Sequence, residues 1–211
     1  MFLRVVYGAQ YSLIIGIGSV AISLTIGLFL GSLAGYYGGL IDDLITRASD
    51  VLASIPSTLL GMCIVIVLGQ SLTNLIIAVS VTAIPSFIRM ARSSVMTVRG
   101  QEYVEAAKAI GMSNVKIIFA QVVPNGLSPL IVTTTVRMGS SIIQAAALSF
   151  LGFGIPVPMP EWGALVSDGR VHIRTAGYLT FFPGLMIMLT VLAFNLMGDG
   201  LRDALDPKLR Q

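Results

Sequence analysis

The chain has 211 residues, of which 55% are hydrophobic and only 11% charged, with a formal net charge of +3 and a mean hydropathy of +0.88. A water-soluble domain carries charge on roughly a quarter of its residues, so this composition excludes an ordinary soluble fold and suits a chain whose solvent is mostly lipid. The basic excess is what cytoplasmic loops of a membrane protein collect, and with no basic patch interleaved with aromatics no nucleic-acid partner is expected.

A spanning helix needs about 20 mostly apolar residues, and five tracts qualify. The first, at about 10–34, is free of charge. It is too long for a signal peptide, and only Arg4 precedes it. Along it Ser19, Ser23, Gly27, Gly31, Gly35 and Gly39 recur every fourth residue. That spacing predicts a stripe of small side chains for close packing on a neighbour, within the subunit or across a dimer. A polar stretch follows. Asp43 and Arg47, and Arg47 and Asp50, are spaced to pair on one helix face, with Asp42 as a candidate cap.

The second tract, at about 51–68, has Pro56 near its start and holds Cys63, which has no partner for an intrachain disulfide. The third, at about 72–88, contains Pro85. The fourth, at about 126–151, contains Pro129 and Arg137, and the fifth, at about 178–197, has Pro183 near its start. Prolines in such tracts predict kinks that neighbouring helices tolerate. The lone His172 cannot build a histidine metal site, and no metal is expected.

Arg89, Arg92, Arg99, Lys108 and Lys116 lie between the third and fourth tracts, and Arg202, Lys208 and Arg210 follow the fifth. Two spans separate these groups, which puts both on one side, the cytoplasm, by the positive-inside rule. The turn at 69–71 and the loop at 152–177 are then external. Five spans also put Met1 outside, and the expectation is that an earlier spanning segment is missing.

Between the third and fourth tracts the chain reads QEYVEAAKAIGMSNVKIIFAQVVP, residues 101–124. Tyr103 to Ile110 is good helix-forming sequence, and Gly111 can end the helix in the left-handed conformation. Glu105-Ala106-Ala107, then Gly111, then Pro124 resemble the EAA motif of permeases in binding-protein-dependent ABC importers. Two positions depart from the pattern: Gln121 stands where the family has Ile, and Val123 where it has Leu. Three further segments, GYYGGLIDDLITRASDVLASIPS, ALSFLGFGIPVPMPEWGALVSDGR and FFPGLMIMLTVLAFNLMGDGLRDALDPKLR, resemble the second permease subunit of dipeptide, oligopeptide and nickel importers. The resemblance runs from about Val6 to Arg210.

The resemblance implies an all-α type I ABC importer transmembrane domain in the bacterial plasma membrane, with about five spans and a cytoplasmic coupling helix at about 101–111. It implies that Tyr103, Glu105, Ala106, Ala107 and Gly111 dock in a cleft of an ATP-binding subunit. Expected partners are a homologous permease, two ATP-binding subunits, an external solute-binding protein and lipid. Cargo would be peptides, nickel or metallophore chelates.

The residues themselves narrow the reading further. A P-loop needs Gly-Lys followed by Ser or Thr. Lys108, Lys116 and Lys208 follow Ala, Val and Pro, so the sequence holds no P-loop: if ATP drives transport another polypeptide hydrolyses it, the resemblance puts ATP and magnesium on the ATP-binding subunits, and no cofactor is expected on this chain. On the fourth tract Thr133, Arg137, Ser140 and Gln144 share one helical face. An intramembrane cation normally meets a cavity or a partner, which makes this face a candidate lining of the translocation pathway, with helix–helix bonding through Arg137 as the alternative. An ion-gradient transporter would place several acids at mid-membrane, and here Asp and Glu fall in loops or near helix ends. A membrane-embedded protease would need paired aspartates, a Ser–His pair or a zinc motif within the spans, and none is present. The loop 155–162, with Pro156, Pro158 and Pro160, is expected to be stiff and non-helical; the resemblance makes it a candidate contact for the binding protein, with a simple structural cap as the alternative, and Trp162 is expected at the membrane interface.

Overall fold

The computed structural model describes residues 1–156 and 158–205. Lys208 and Arg210, part of the basic tail, lie outside the described residues. Every described element is helical. In chain order they are α1 (Phe2–Tyr37), α2 (Gly39–Ser54), α3 (Ser57–Leu68), α4 (Leu72–Arg99), α5 (Glu102–Ala109), α6 (Asn114–Ile117), α7 (Val123–Asn125), α8 (Leu127–Leu148), α9 (Trp162–Arg170) and α10 (Tyr178–Leu205). Two π-helical turns, Ile118–Val122 and Ser149–Phe153, join α6 to α7 and extend α8.

Four helices are long and apolar enough to cross a bilayer: α1, α4, α8 with its π-turn, and α10. α4 and α10 outrun their apolar tracts because the polar residues that follow continue the helix, and α1 begins earlier, at Phe2. The tract at 51–68 is the exception. It is not one straight span: α2 and α3 meet at a 90° bend. Pro56 lacks the N–H that would continue α2, and it forces Ile55 into an extended conformation (φ −88°, ψ 129°). The 12 residues of α3 reach only about 18 Å at 1.5 Å per residue, short of the roughly 30 Å hydrocarbon core. The bent pair counts as a fifth span only when taken together.

The small-residue stripe of α1 packs inside the subunit, on α4. Ser19 and Ser23 are fully buried, and the Ser19 hydroxyl donates to the Ile76 carbonyl at 3.3 Å. A Cβ on Gly31 would stand 2.6 Å from Ile88 O and 2.7 Å from the Ala91 Cβ, and one on Gly35 2.7 Å from Arg92 O. Backbone therefore lies on backbone, and the two helices run parallel, residues 19 to 35 against 76 to 92. Gly39 is not part of this seam. It opens α2, past the turn at Gly38, with nothing near its absent side chain.

The acids of α2 also differ from the sequence expectation. Asp42 and Asp50 reach α4, and among the described residues neither Asp43 nor Asp50 pairs with Arg47. Arg92 Nε donates to Asp42 Oδ1 at 2.5 Å and its Nη2 to Oδ2 at 2.6 Å, while Thr46 donates to the same carboxylate at 3.1 Å. Asp50 faces Arg89 at 3.7 Å. Asp42 caps nothing, since Gly38 holds that position. The helix packs against α4, and the guanidinium groups of Arg89 and Arg92 there take its acids.

The Arg92 hydrogen bond, lying outside the apolar spans, holds the Asp42 carboxyl below the ordinary carboxylate range. A depressed folded pKa gives stability that is present above the unfolded value and lost as pH falls through the folded one. We expect Asp42→Asn to lower stability by about 1–3 kcal/mol, measured by unfolding in mixed micelles. The wild-type advantage should vanish in acid, and a deficit that persists at low pH would argue against the pair.

At one end of the bundle α9 is locked onto α1. Glu161 is 1% exposed; its carboxylate accepts from Gly163 N at 2.8 Å, Ala164 N at 2.9 Å and Ser12 Oγ at 3.3 Å. A buried acid is thus satisfied at a helix N-terminus, where its charge suits the dipole. Trp162 does not sit at a lipid interface. It is 3% exposed in a cluster with Val5 and Leu165, and its indole N–H donates to Val5 O at 2.9 Å.

Candidate functional site

At the opposite end of the bundle, α5 lies on a small apolar platform. Val104 (0% exposed) and Ala107 (6%) pack with Tyr36, Val95, Ile117, Ile118, Val122 and Val123. The spacing of Val104 and Ala107 gives α5 one inward stripe, and everything else faces out. Tyr103, Glu105, Ala106 and Gly111 are exposed, and so is Ile110, at 79%. Of the five docking candidates, then, four are presented and Ala107 is used up inside its own chain. Ile110 was missed, because it falls among the three unspecified positions between Ala107 and Gly111, where only the capping geometry shows which way it points.

Gly111 ends the helix as expected. At φ +77° it holds the left-handed conformation. Its N–H donates to Lys108 O at 3.0 Å and the Met112 N–H to Ala107 O at 3.1 Å, which together form a Schellman motif. Met112 then folds back on the same platform. The platform is pinned from below. Arg99 Nη1 donates to Gly35 O at 3.0 Å and Tyr36 O at 2.8 Å, a cation on the last carbonyls of α1. Tyr36 Oη donates to Asn114 Oδ1 at 3.0 Å, and Lys108 Nζ stands 5.5 Å from the Tyr36 ring centre. A push on α5 therefore bears directly on the ends of α1 and α4.

The second candidate group lies on α8. Gly139, Ile142, Ala145 and Leu148 turn inward, while Ser140 is exposed and Thr133, Arg137 and Gln144 are half-buried on the other side. The structure thus keeps these four on one outward face. Thr133 and Ser140 donate back to Pro129 O (2.8 Å) and Val136 O (3.3 Å) of their own helix. Gln144 Oε1 receives a long 3.5 Å contact from Ser57 Oγ at the start of α3. Ser57 was not among the sequence candidates; only the bend at Pro56 brings it there.

A cavity of about 500 Å³ opens beside Thr133, between α4, α8 and α10, lined by Met90, Ser128, Pro129, Val132, Arg202 and Leu205.

Known proteins are similar to this chain in sequence and in fold. The family described as "binding-protein-dependent transport system inner membrane component" matches residues 27–211. The dipeptide transport system permease DppC of Alkalihalophilus pseudofirmus is 50% identical over all of this chain and 69% of its own length. The di/tripeptide permease DppC of Pseudomonas aeruginosa is 45% identical over 98% of this chain and 68% of its own. The glutathione permease GsiD of Escherichia coli is 48% identical, covering 100% and 69%.

Among solved structures, an inward-facing form of the MetNI methionine ABC transporter superposes with a TM-score of 0.79 at 19% identity, covering 98% of each chain. An amino acid ABC transporter does so at 0.65 and 17%, covering 97% of this chain and 95% of its own. At such identities the likeness shows the fold, which is that of a type I ABC importer transmembrane domain. With the family matched over most of the sequence and relatives near half identical, this chain belongs to the inner-membrane permease components of binding-protein-dependent transport systems.

Proposed function

We propose that the chain is the permease of an ATP-driven importer of short peptides and that α5 is its coupling helix. Two ATP-binding subunits, a homologous permease and an external solute-binding protein complete the machine, with ATP and magnesium held by the ATP-binding subunits. The α5 end and the C-terminus face the cytoplasm of a bacterial cell. The three relatives named above carry peptides or glutathione in their names, which favours peptide cargo over nickel chelates.

One observation carries this reading: α5 is capped at Gly111, seated on the ends of α1 and α4, and presents Tyr103, Glu105, Ala106 and Ile110 to the outside. A rigid, small-faced helix on that platform suits the transfer of a stroke from a closing ATPase into the spans. The outward face of Thr133, Arg137, Ser140 and Gln144 would line the pathway. The ion-coupled alternative gains no support, since α1, α3, α4 and α8 hold no Asp or Glu.

The test is a thiol crosslink. Ile110→Cys should crosslink to an ATP-binding subunit in native membranes, with a yield that changes when ATP is trapped. Labelling of that cysteine from outside the cell, with no ATPase adduct, would overturn the assignment.

A further inference from the structure

Arg137 and Gln144 lie seven residues apart on α8, about 10 Å along its axis at 1.5 Å per residue. Neither has the partners that a side chain in hydrocarbon needs. Arg137 sits well inside the span Leu127–Phe153, and among the described residues it meets no carboxylate and no carbonyl acceptor. Gln144 is half satisfied: Oε1 has the Ser57 hydroxyl, whereas Nε2 is buried with no acceptor. The hydroxyls of Thr133 and Ser140 already donate to their own helix. This face therefore carries donors in excess, one of them a cation that lipid would not solvate.

We propose that Arg137 and Gln144 form a binding step for the acceptor-rich end of the cargo, a reading that rests on the peptide-permease function above. The C-terminal carboxylate would take the guanidinium fork, and a main-chain carbonyl would take Gln144 Nε2. Extended peptides span at most about 3.3–3.6 Å per residue, so two or three residues bridge the two groups. That length agrees with a short-peptide cargo. Ser57, the first residue of α3, holds Gln144 at Oε1, so Nε2 is the amide atom left for the cargo.

The experiment measures direct binding of a radiolabelled dipeptide and of its C-terminal amide. It uses the assembled permease–ATPase complex in lipid nanodiscs, without the solute-binding protein, whose own selectivity would mask the result. The wild-type complex should favour the free acid by about tenfold, the worth of one charge-assisted hydrogen bond. Arg137→Gln should remove that preference by weakening the acid alone, and Arg137→Lys should keep part of it. Gln144→Ala should weaken acid and amide alike, while Gln144→Glu should weaken only the acid through like charge.

Equal affinities for acid and amide in the wild type, binding of neither, or an undiminished preference in an assembled Arg137→Gln complex would each refute the step. Should Arg137→Gln fail to assemble, the acid-selective loss in Gln144→Glu decides, and its absence refutes the step too. A wild-type permease that never co-purifies with an ATPase would instead bring down the function on which the step rests, and the step with it.

Discussion

Gly31→Ala in α1 should lower the stability of the permease by about 3 kcal/mol or more, although it adds a single methyl group. The new Cβ would stand 2.6 Å from Ile88 O, 2.7 Å from the Ala91 Cβ and 3.0 Å from Arg92 N. Two of these three atoms belong to the backbone of α4, so no rotamer change can make room. The helices must separate, and the opening would spread to Gly27 and Gly35, whose missing side chains leave the same kind of gap against Phe87 and Val95. In lipid, close packing is most of what holds such a pair together. Overpacking a tight seam costs typically 1–3 kcal/mol, and backbone contact along three turns puts this case at or above the upper end. Against a total stability of about 5–15 kcal/mol, that is a large loss.

Gly184→Ala, on α10 where nothing lies within 4 Å, should be neutral or gain up to about 1 kcal/mol of helix propensity. Unfolding both variants in mixed micelles gives the comparison. If Gly31→Ala unfolds at the wild-type midpoint, the α1–α4 seam is not as close as described.

The seam was legible in the sequence as a four-residue repeat because helix geometry converts that repeat into one face. Its partner was not, since nothing in α4 repeats to match; α4 contributes bare backbone and side chains as different as Phe87 and Ala91. The same limit applies to the acids of α2. Local spacing suggested Asp43–Arg47–Asp50, but the arginines that bind Asp42 and Asp50 come from a helix roughly forty to fifty residues away, and distance in sequence hides them. Hydropathy found the second span but not its break, because a window average does not register one proline.

Candidate sites followed the same rule. The α5 motif was readable because its parts are contiguous and Gly111 marks its end. Ser57 and the burial of Trp162 were not, since each depends on a long-range contact.

Ala106 and Ala107 are adjacent in sequence and should fail in opposite ways, which separates docking from folding. Ala107 is 6% exposed and packed with Val104, Tyr36 and Ile117 under α5. Enlarging it to Leu overfills that platform at a cost of about 1–3 kcal/mol. Thermal unfolding of the isolated permease should shift, and any loss of ATPase binding would follow from a displaced helix. Ala106 is exposed, roughly 100° around the same helix. Ala106→Trp removes nothing from the fold, so stability should stay within about 0.5 kcal/mol of wild type. A large side chain where a partner groove admits a methyl should nevertheless cost 2 kcal/mol or more of association, roughly a thirtyfold loss, read as ATPase no longer co-purifying and uptake falling with it. If Ala106→Trp retains both the ATPase and uptake, the outer face of α5 is merely solvated, and the stroke must enter the spans elsewhere. If it destabilises the isolated permease as much as Ala107→Leu does, α5 is seated with its other face on the platform. The two variants together therefore test which side of one short helix belongs to the permease and which to its partner.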